Sequence, residues 1–524
     1  MKLKKLTIKN YKSIEELQIE DFRNLNVFIG KNDAGKSNII RALDILFNSN
    51  LYSYDQHPIV EEEDLLATTY KGSSEYHFYN KEKHEAEITA HLKLTPYELE
   101  KLGLEGEEEL VLSNKVSTED DHTKINLQFL RAGKHILVKT PDEKKRFLTA
   151  NGDYTDQEDN ATVKQFLESL SNRFIVIPAD RNIIRDPHPQ SEKVKVDAYI
   201  HDSLIELANS EEEDKKRLYE QFTEFITHLS PLIDHVEIEE SEGKVARVNF
   251  LDTHKKKIPL STIGGGNNEL LLLLHEIIMS GGRILAIEEP EIHLHPEAER
   301  KLLKLMQEFS EATQMLLVTH SPVFVEPENL RGLYRVVKEK QKTEIKTMKK
   351  EDYIDSDRLE QELNSENTEM FFADKVLLVE GISDKIFMEG LIEKYCKSTA
   401  EIKVVASFSK DNFEVYIKLL KIFDIPYLVM TDLDSLKGKF KISIIWNEIK
   451  GKHLKNKRER IAFLRERGIH VLSKGALEQS YPSKYRRGES KPLDALYAVH
   501  NLTDEEYNSD KMKDIRRVIQ ALED

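Results

Sequence analysis

The chain has 524 residues, of which 39% are hydrophobic and 33% charged, with a net charge of −17. That composition excludes disordered and fibrous classes and, at roughly 100 to 200 residues per domain, implies two to four domains. The single cysteine, Cys396, excludes a disulfide framework or a Cys-rich zinc ribbon and points to a reducing, cytoplasmic setting. No apolar run approaches the ~20 residues of a membrane span, so no membrane association is expected.

In chain order, Met1-Lys-Leu-Lys-Lys passes straight into an alternating Leu3, Leu6, Ile8 pattern, which predicts a strand and no signal peptide. Val27-Phe28-Ile29 predicts a short buried strand, and the spacing from Ile39 to Leu46 predicts a helix. The segments EAEITAHLKL, KINLQF and HILVK, between Ala86 and Lys139, predict an antiparallel flank. From Lys193 to Asp234 the pattern turns helical, with Leu218, Phe222, Phe225, Ile226 and Leu229 on one face, and predicts a projecting helical insertion. Strand alternation returns at Val236 to Leu251, and apolar helix and strands run on through Val325. A polar stretch from Glu360 to Glu369 then precedes a buried strand, Val376 to Val379, and a second α/β domain is expected to follow. Acidic runs such as Glu211 to Asp214 read as solvated faces. The acidic balance confines a polyanion to one basic run: Lys437, Lys439, Lys441, Lys450, Lys452, Lys455, Lys457, Arg458 and Arg460.

Gly30-Lys31-Asn32-Asp33-Ala34-Gly35-Lys36-Ser37 matches the phosphate-loop pattern, placed after a strand and before a helix. Its glycines let backbone wrap a phosphate, the helix N-terminus supplies N–H donors, Lys36 neutralises β- and γ-oxygens, and Ser37 ligates Mg²⁺. Gly30, Asn32, Gly35 and the following Asn38 count with the loop as nucleotide-binding candidates. Downstream, the apolar strand Ile284 to Ile287 ends in Glu288-Glu289, a pair whose repulsion favours a cation between them. A third strand, Met315 to Thr319, ends at His320, within expected reach of a γ-phosphate.

These elements resemble the ATP-binding-cassette heads of the SMC, RecF and OLD (overcoming lysogenisation defect) ATPases. The resemblance implies that ATP is the nucleotide, that Glu288 is the Walker B acid, Glu289 the catalytic base and His320 the switch histidine. It also implies that Leu260 to Gly266, with Ser261 and Gly265, is the signature segment that meets ATP bound to a second copy, and that the helical insertion supplies dimer contacts. Glu291-Ile292-His293-Leu294-His295 reads as the D-loop, with a His-x-His zinc site as the competing reading.

In the second domain the strand Val376 to Val379 leads into Glu380-Gly381-Ile382-Ser383-Asp384, and a later strand, Tyr427 to Met430, leads into Thr431-Asp432-Leu433-Asp434. Strand alternation places Asp432 and Asp434 on one face. Four acids at adjacent strand ends call for one or two divalent cations on oxygen ligands, Mg²⁺ or Mn²⁺. The two motifs, in this order and behind an ATPase head, resemble the Toprim domain of topoisomerases, primases and OLD-family nucleases. The resemblance adds Glu478 as a metal ligand and Lys491 as the catalytic lysine, with Lys474 its rival.

The expected architecture is therefore α/β: an ABC/SMC-like ATPase domain over residues 1–190 and 241–365, a helical dimerisation insertion over 191–240, and a Toprim nuclease domain over 366–524. The implied function is an ATP-regulated, divalent-metal-dependent endonuclease or nickase acting on double-stranded DNA, as a homodimer or larger. Similar nucleases serve in Gabija and retron anti-phage defence, beside a helicase or a retron reverse transcriptase. The alternative is an ATP-switched DNA clamp or repair scaffold of the RecF/SMC kind, without nuclease activity.

Overall fold

The computed structural model describes residues 1–54, 67–71, 78–80, 85–96, 98, 109–119, 122–131, 134–135, 137–139, 145–147, 170, 173–181, 196–230, 232–258, 265–364, 366–437, 443–450, 452, 454, 456–488 and 490–523. They divide into two compact units, residues 1–324 with 331–345, and residues 325–330 with 346–524.

In the first unit, β1 (Lys2–Tyr11) buries Leu3, Leu6 and Ile8 completely, as their alternation predicts. Its neighbour β2 (Ile14–Glu20) escaped the sequence reading because Ile14 and Leu17, both buried, stand three apart and break the period of two. With β4 (Ala67–Lys71), β5 (Glu85–Lys93), β6 (Glu109–Glu119), β7 (His122–Arg131) and β8 (Lys134–His135) they form the antiparallel flank, ordered β2-β1-β5-β6-β7-β4 with β8 on β7. β9 (Leu137–Lys139) pairs with β10 (Lys145–Phe147). A second sheet runs β11-β15-β16-β3-β17-β18 and carries the chemistry. It consists of β3 (Leu25–Ile29), β11 (Phe174–Ile177), β15 (Ile284–Glu288), β16 (Gln314–Val318), β17 (Leu333–Glu339) and β18 (Lys342–Thr347). From β11 to β17 the pairings are parallel, and β3 and β16 are buried along their whole length, as parallel strands covered on both faces must be.

Two buried amides pin these sheets. Asn26 accepts from Arg23 N at 2.8 Å and donates to Met315 O at 3.0 Å. Gln314 accepts from Leu3 N at 2.6 Å and donates to Leu3 O at 3.0 Å. Each satisfies backbone groups that would otherwise be costly to bury.

The helices Val196–Ala208 and Glu213–Leu229 form where predicted but do not project. Phe222, Ile226 and Leu229 are buried, and Phe225 meets Phe309 edge-on at 5.7 Å, so the apolar stripe lies against the head itself. An antiparallel trio follows: β12 (His235–Ser241), β13 (Lys244–Leu251) and β14 (Lys257–Ile258).

The second unit is built on a parallel sheet ordered β20-β19-β21-β22, from β19 (Lys375–Val379), β20 (Ile402–Ala406), β21 (Tyr427–Thr431) and β22 (Ile469–Val471). Its core joins Leu377, Val379 and Met430 to Ala495, Ala498, Ile515 and Val518 of the C-terminal helices. No helix among the described residues is long and apolar enough to cross a membrane.

Candidate functional site

The phosphate loop leaves β3 with Gly30 at φ 141° and Gly35 at φ 105°, conformations that L side chains resist. A Cβ on Gly30 would lie 2.2 Å from Val336 O, and one on Gly35 2.3 Å from Thr343 Oγ1. Thr343 Oγ1 lies 2.8 Å from Ala34 O and 2.7 Å from Ser13 Oγ, and Ser13 Oγ accepts from Asn38 Nδ2 at 2.8 Å. Asn38 thus braces the loop, while Asn32 stands exposed on it and Ser37 is half-buried at the start of the helix Lys36–Tyr54. Lys36 is buried and donates to Gly30 O at 2.8 Å and Lys31 O at 2.9 Å. Burial pulls its ammonium down to about 8, against the attraction of Glu289, Glu291 and Asp33.

The register β15-β16-β3 sets the ends of β15 and β16 beside that loop, which brings Glu288, Glu289 and His320 to one sheet edge. Glu288 Oε1 is buried with no hydrogen-bond partner among the described residues, an oxygen suited to a cation. Glu289 adopts φ 49°, and its N donates to Val318 O at 2.7 Å. His320 loses basicity to burial and to the charge of Lys36, so its imidazole is held neutral. Gly265 opens the helix Gly265–Met279; Ser261 lies outside the described residues. In the D-loop segment, His293 donates to Glu269 at 2.8 Å and His295 accepts from Glu297 N to cap the helix Pro296–Phe309. Both imidazoles are thus engaged by protein groups rather than arranged as a zinc pair.

In the second unit the sheet order places four strand ends side by side, with Lys410 after β20, Glu380 after β19, Asp432 and Asp434 after β21, and Glu478 after β22. Carboxylate oxygens of Glu380, Asp432 and Asp434 lie within 4.8 Å of one another. Glu380 Oε1 accepts from Thr431 Oγ1 at 2.5 Å and from Asp432 N at 2.6 Å. Asp384 accepts from Gly381 N at 3.0 Å, closing the first turn of the helix Ile382–Tyr395 beneath Glu380. Burial, then the charge of Glu380, pushes Asp432 up to about 7 and Asp384 up to about 6. Lys491 Nζ stands 2.8 Å from Glu478 Oε1, whereas Lys474 turns to Asp510, donating to its carbonyl at 2.8 Å. The two aspartates are not presented by a strand face, as alternation predicts. β21 ends at Thr431, and a 3₁₀ turn over Leu433–Leu436, with Ser435 Oγ donating to Asp432 O at 2.7 Å, swings Asp434 back toward Glu380.

The structure adds roles for three residues, of which motif reading passed over Arg181 and Lys410 and placed Glu291 only within the D-loop segment. Arg181, 3% exposed, donates from Nη2 to the carbonyls of Glu288 and Glu289 at 2.6 Å each, and from Nη1 to Glu269 at 3.3 Å. Glu291 accepts from Thr319 Oγ1 at 2.8 Å and from His320 N at 2.7 Å, fixing the histidine's backbone. Lys410 ion-pairs with Asp434 and lies 3.2 Å from Glu380 Oε2. A charged residue a few positions beyond an apolar strand was the available signal for Arg181 and Lys410. Of the basic run, Lys450, Lys452, Lys457 and Arg458 are exposed around the helices Ser443–Ile449 and Lys457–Arg465, while Lys439, Lys441 and Lys455 lie outside the described residues.

Fold and site define an ATPase head followed by an α/β domain with a cation-seeking acid cluster. Residues 1–325 match the family model described as AAA ATPase domain, and residues 371–434 match the Toprim domain of overcoming-lysogenization-defect-like proteins. The chain belongs to this AAA ATPase family and carries, behind that domain, a Toprim segment of the OLD-like kind. It is 31% identical over 159 residues to the OLD nuclease of Thermus scotoductus, an alignment spanning 28% of this chain and 30% of that one. Identity is 23% over 351 residues to an ATP/GTP phosphatase of Helicobacter pylori, spanning 62% of this chain and 86% of that one. To Endonuclease GajA of Bacillus cereus strain VD045 it is 25% over 497 residues, spanning 84% and 76%.

Proposed function

We propose that this protein hydrolyses the phosphodiester backbone of double-stranded DNA at the Glu380, Asp432 and Asp434 cluster, as an endonuclease or nickase regulated by ATP held in the head. The observation that carries the reading is the approach of those three carboxylates to within 4.8 Å, with Asp432 and Asp384 both raised by burial and mutual repulsion. An all-oxygen donor set of this kind fits Mg²⁺ or Mn²⁺. Glu380, Asp384, Asp432, Asp434 and Glu478 are the residues that would hold it. When bound, such an ion lowers the pKa of water and offsets charge developing on the phosphate. Lys491, paired with Glu478, brings a cation to the same edge and is the residue assigned to stabilise the transition state. The exposed Lys450, Lys452, Lys457 and Arg458 supply backbone phosphate contacts that carry no sequence information.

In the head, Lys36 and the loop N–H groups receive the ATP phosphates, and Ser37 and Glu288 are the residues that would hold the accompanying Mg²⁺. Glu289 orients the attacking water, and the neutral His320 donates to a γ-phosphate oxygen. Ser261 and Gly265 are assigned to the ATP of a second copy, so the hydrolysing form is a homodimer or larger. A place in anti-phage defence, beside a helicase or a reverse transcriptase, is proposed on the resemblance to defence nucleases.

The test is supercoiled plasmid incubated with purified protein, crossing Mg²⁺ or Mn²⁺ with ATP and a non-hydrolysable analogue. Nicked or linear product that chelation removes supports the reading. Intact plasmid throughout, with ATP-dependent DNA retention, would favour the clamp instead.

A further inference from the structure

The acid cluster contains a cation of its own. Lys410 Nζ pairs with Asp434 Oδ1 and stands 3.2 Å from Glu380 Oε2, bridging two of the three carboxylates that lie within 4.8 Å of one another. Its side chain is 13% exposed, against 71% for Lys491, so it is not one of the solvated surface lysines whose ion pairs contribute little.

Its backbone is also built into place. Ser407 N donates to Val379 O at 3.0 Å and Ser407 Oγ to Ser409 O at 2.9 Å, while Asn412 Nδ2 donates to Ser407 O at 2.9 Å. These bonds tie the turn after β20 to the last residue of β19, one position before Glu380. Glu380 Oε1 is meanwhile occupied by Thr431 and Asp432 N, so the oxygen facing Lys410 is the one left for a cation. A divalent ion and an ammonium ~4 Å apart repel by several kcal/mol even at an effective dielectric of ~20, so both cannot hold the same pair of carboxylates cheaply.

We infer that Lys410 is an internal counter-ion which occupies the cation position between Glu380 and Asp434 and must yield it when a divalent metal binds. The inference rests on the metal-site reading above. It has two consequences. The metal-free protein is stabilised by Lys410, and metal affinity is weaker than the acids alone would provide.

The test uses the full chain, stripped with chelator and titrated with Mn²⁺ without nucleotide, the Asp432→Ala protein defining which binding belongs to the cluster. Lys410→Met should bind Mn²⁺ at that site about tenfold tighter than wild type, because a competing charge has gone. Metal-free Lys410→Met should melt below wild type and gain more on Mn²⁺ addition, while Lys410→Arg should behave as wild type. ATP turnover of each variant reports an intact chain, and Lys410→Gln replaces the methionine variant if that one does not fold. Equal or weaker Mn²⁺ binding by the neutral variant overturns the counter-ion role and leaves the metal site standing. Absence of Asp432-dependent Mn²⁺ binding in both proteins overturns the metal site, and the inference with it.

Discussion

At the nucleotide cradle the protein offers donors and one buried ammonium to a polyanion, whereas at the acid cluster it offers carboxylates to a cation. Both stand at the C-terminal ends of parallel strands, and both hold charge under tension of opposite sign. Burial lowers Lys36 to about 8, while burial and neighbouring carboxylates raise Asp432 to about 7. The partial relief differs in kind. Lys36 folds onto the carbonyls of its own loop, Gly30 and Lys31, whereas Glu380 and Asp434 draw on a side chain from the adjacent strand end, Lys410. A local loop therefore builds most of the first site, and the second is a product of sheet order.

The comparison breaks most visibly if the two chemistries cannot be separated. Asp432→Ala should lower metal-dependent plasmid cleavage about a thousandfold or more while ATP turnover stays within about twofold, read on gels and by phosphate release. Conversely, Lys36→Ala should cut ATP turnover roughly a hundredfold or more, because it removes the buried ammonium seated on the phosphate loop. Unchanged phosphate release in that variant would sink the cradle.

Arg181 sharpens the comparison, since the head braces its strained Glu289 with a side chain from the segment that follows β11. Arg181→Met should lower kcat for ATP about ten- to a hundredfold with KM changed less than about threefold, and Arg181→Lys should recover part of the loss. An equal rise in KM would make Arg181 a binding residue instead.

The remaining effect is on stability rather than on rate, at the buried base His470. Burial, then Arg465, drops His470 to about 4, and its Nε2 has no hydrogen-bond partner among the described residues. A histidine depressed on folding costs stability as pH falls from its unfolded value near 6.5 toward 4, here roughly 2 to 3 kcal/mol. The stability advantage of wild type over His470→Gln should therefore narrow between pH 7.5 and pH 4.5 in urea titrations. A constant gap would show that His470 is not the group being charged.

Much of the chemistry was legible because motifs impose local geometry. Gly30 and Gly35 had to be glycines where the backbone turns left-handed against Val336 and Thr343, so the phosphate loop is readable without a fold. Glu288, Glu289, Glu380 and Asp432 stand at the ends of apolar strands, a placement legible from the hydrophobic pattern alone. The readings that changed were those resting on period alone. Asp434 reaches Glu380 through a 3₁₀ turn, and the stripe of Phe222 and Ile226 faces the head because an apolar face buries against whatever core is nearest.

By itself, then, the sequence determined which residue types sit at which strand ends, since steric limits on the loop and the hydrophobic pattern of each strand act within a few residues. Tertiary structure alone decided who stands beside whom. Hydrogen bonding between strands hundreds of positions apart set β3 against β16, and the order β20-β19-β21-β22 delivered Lys410 to the acids. Pairing of that kind depends on the burial and twist of the whole sheet, which a linear motif does not record.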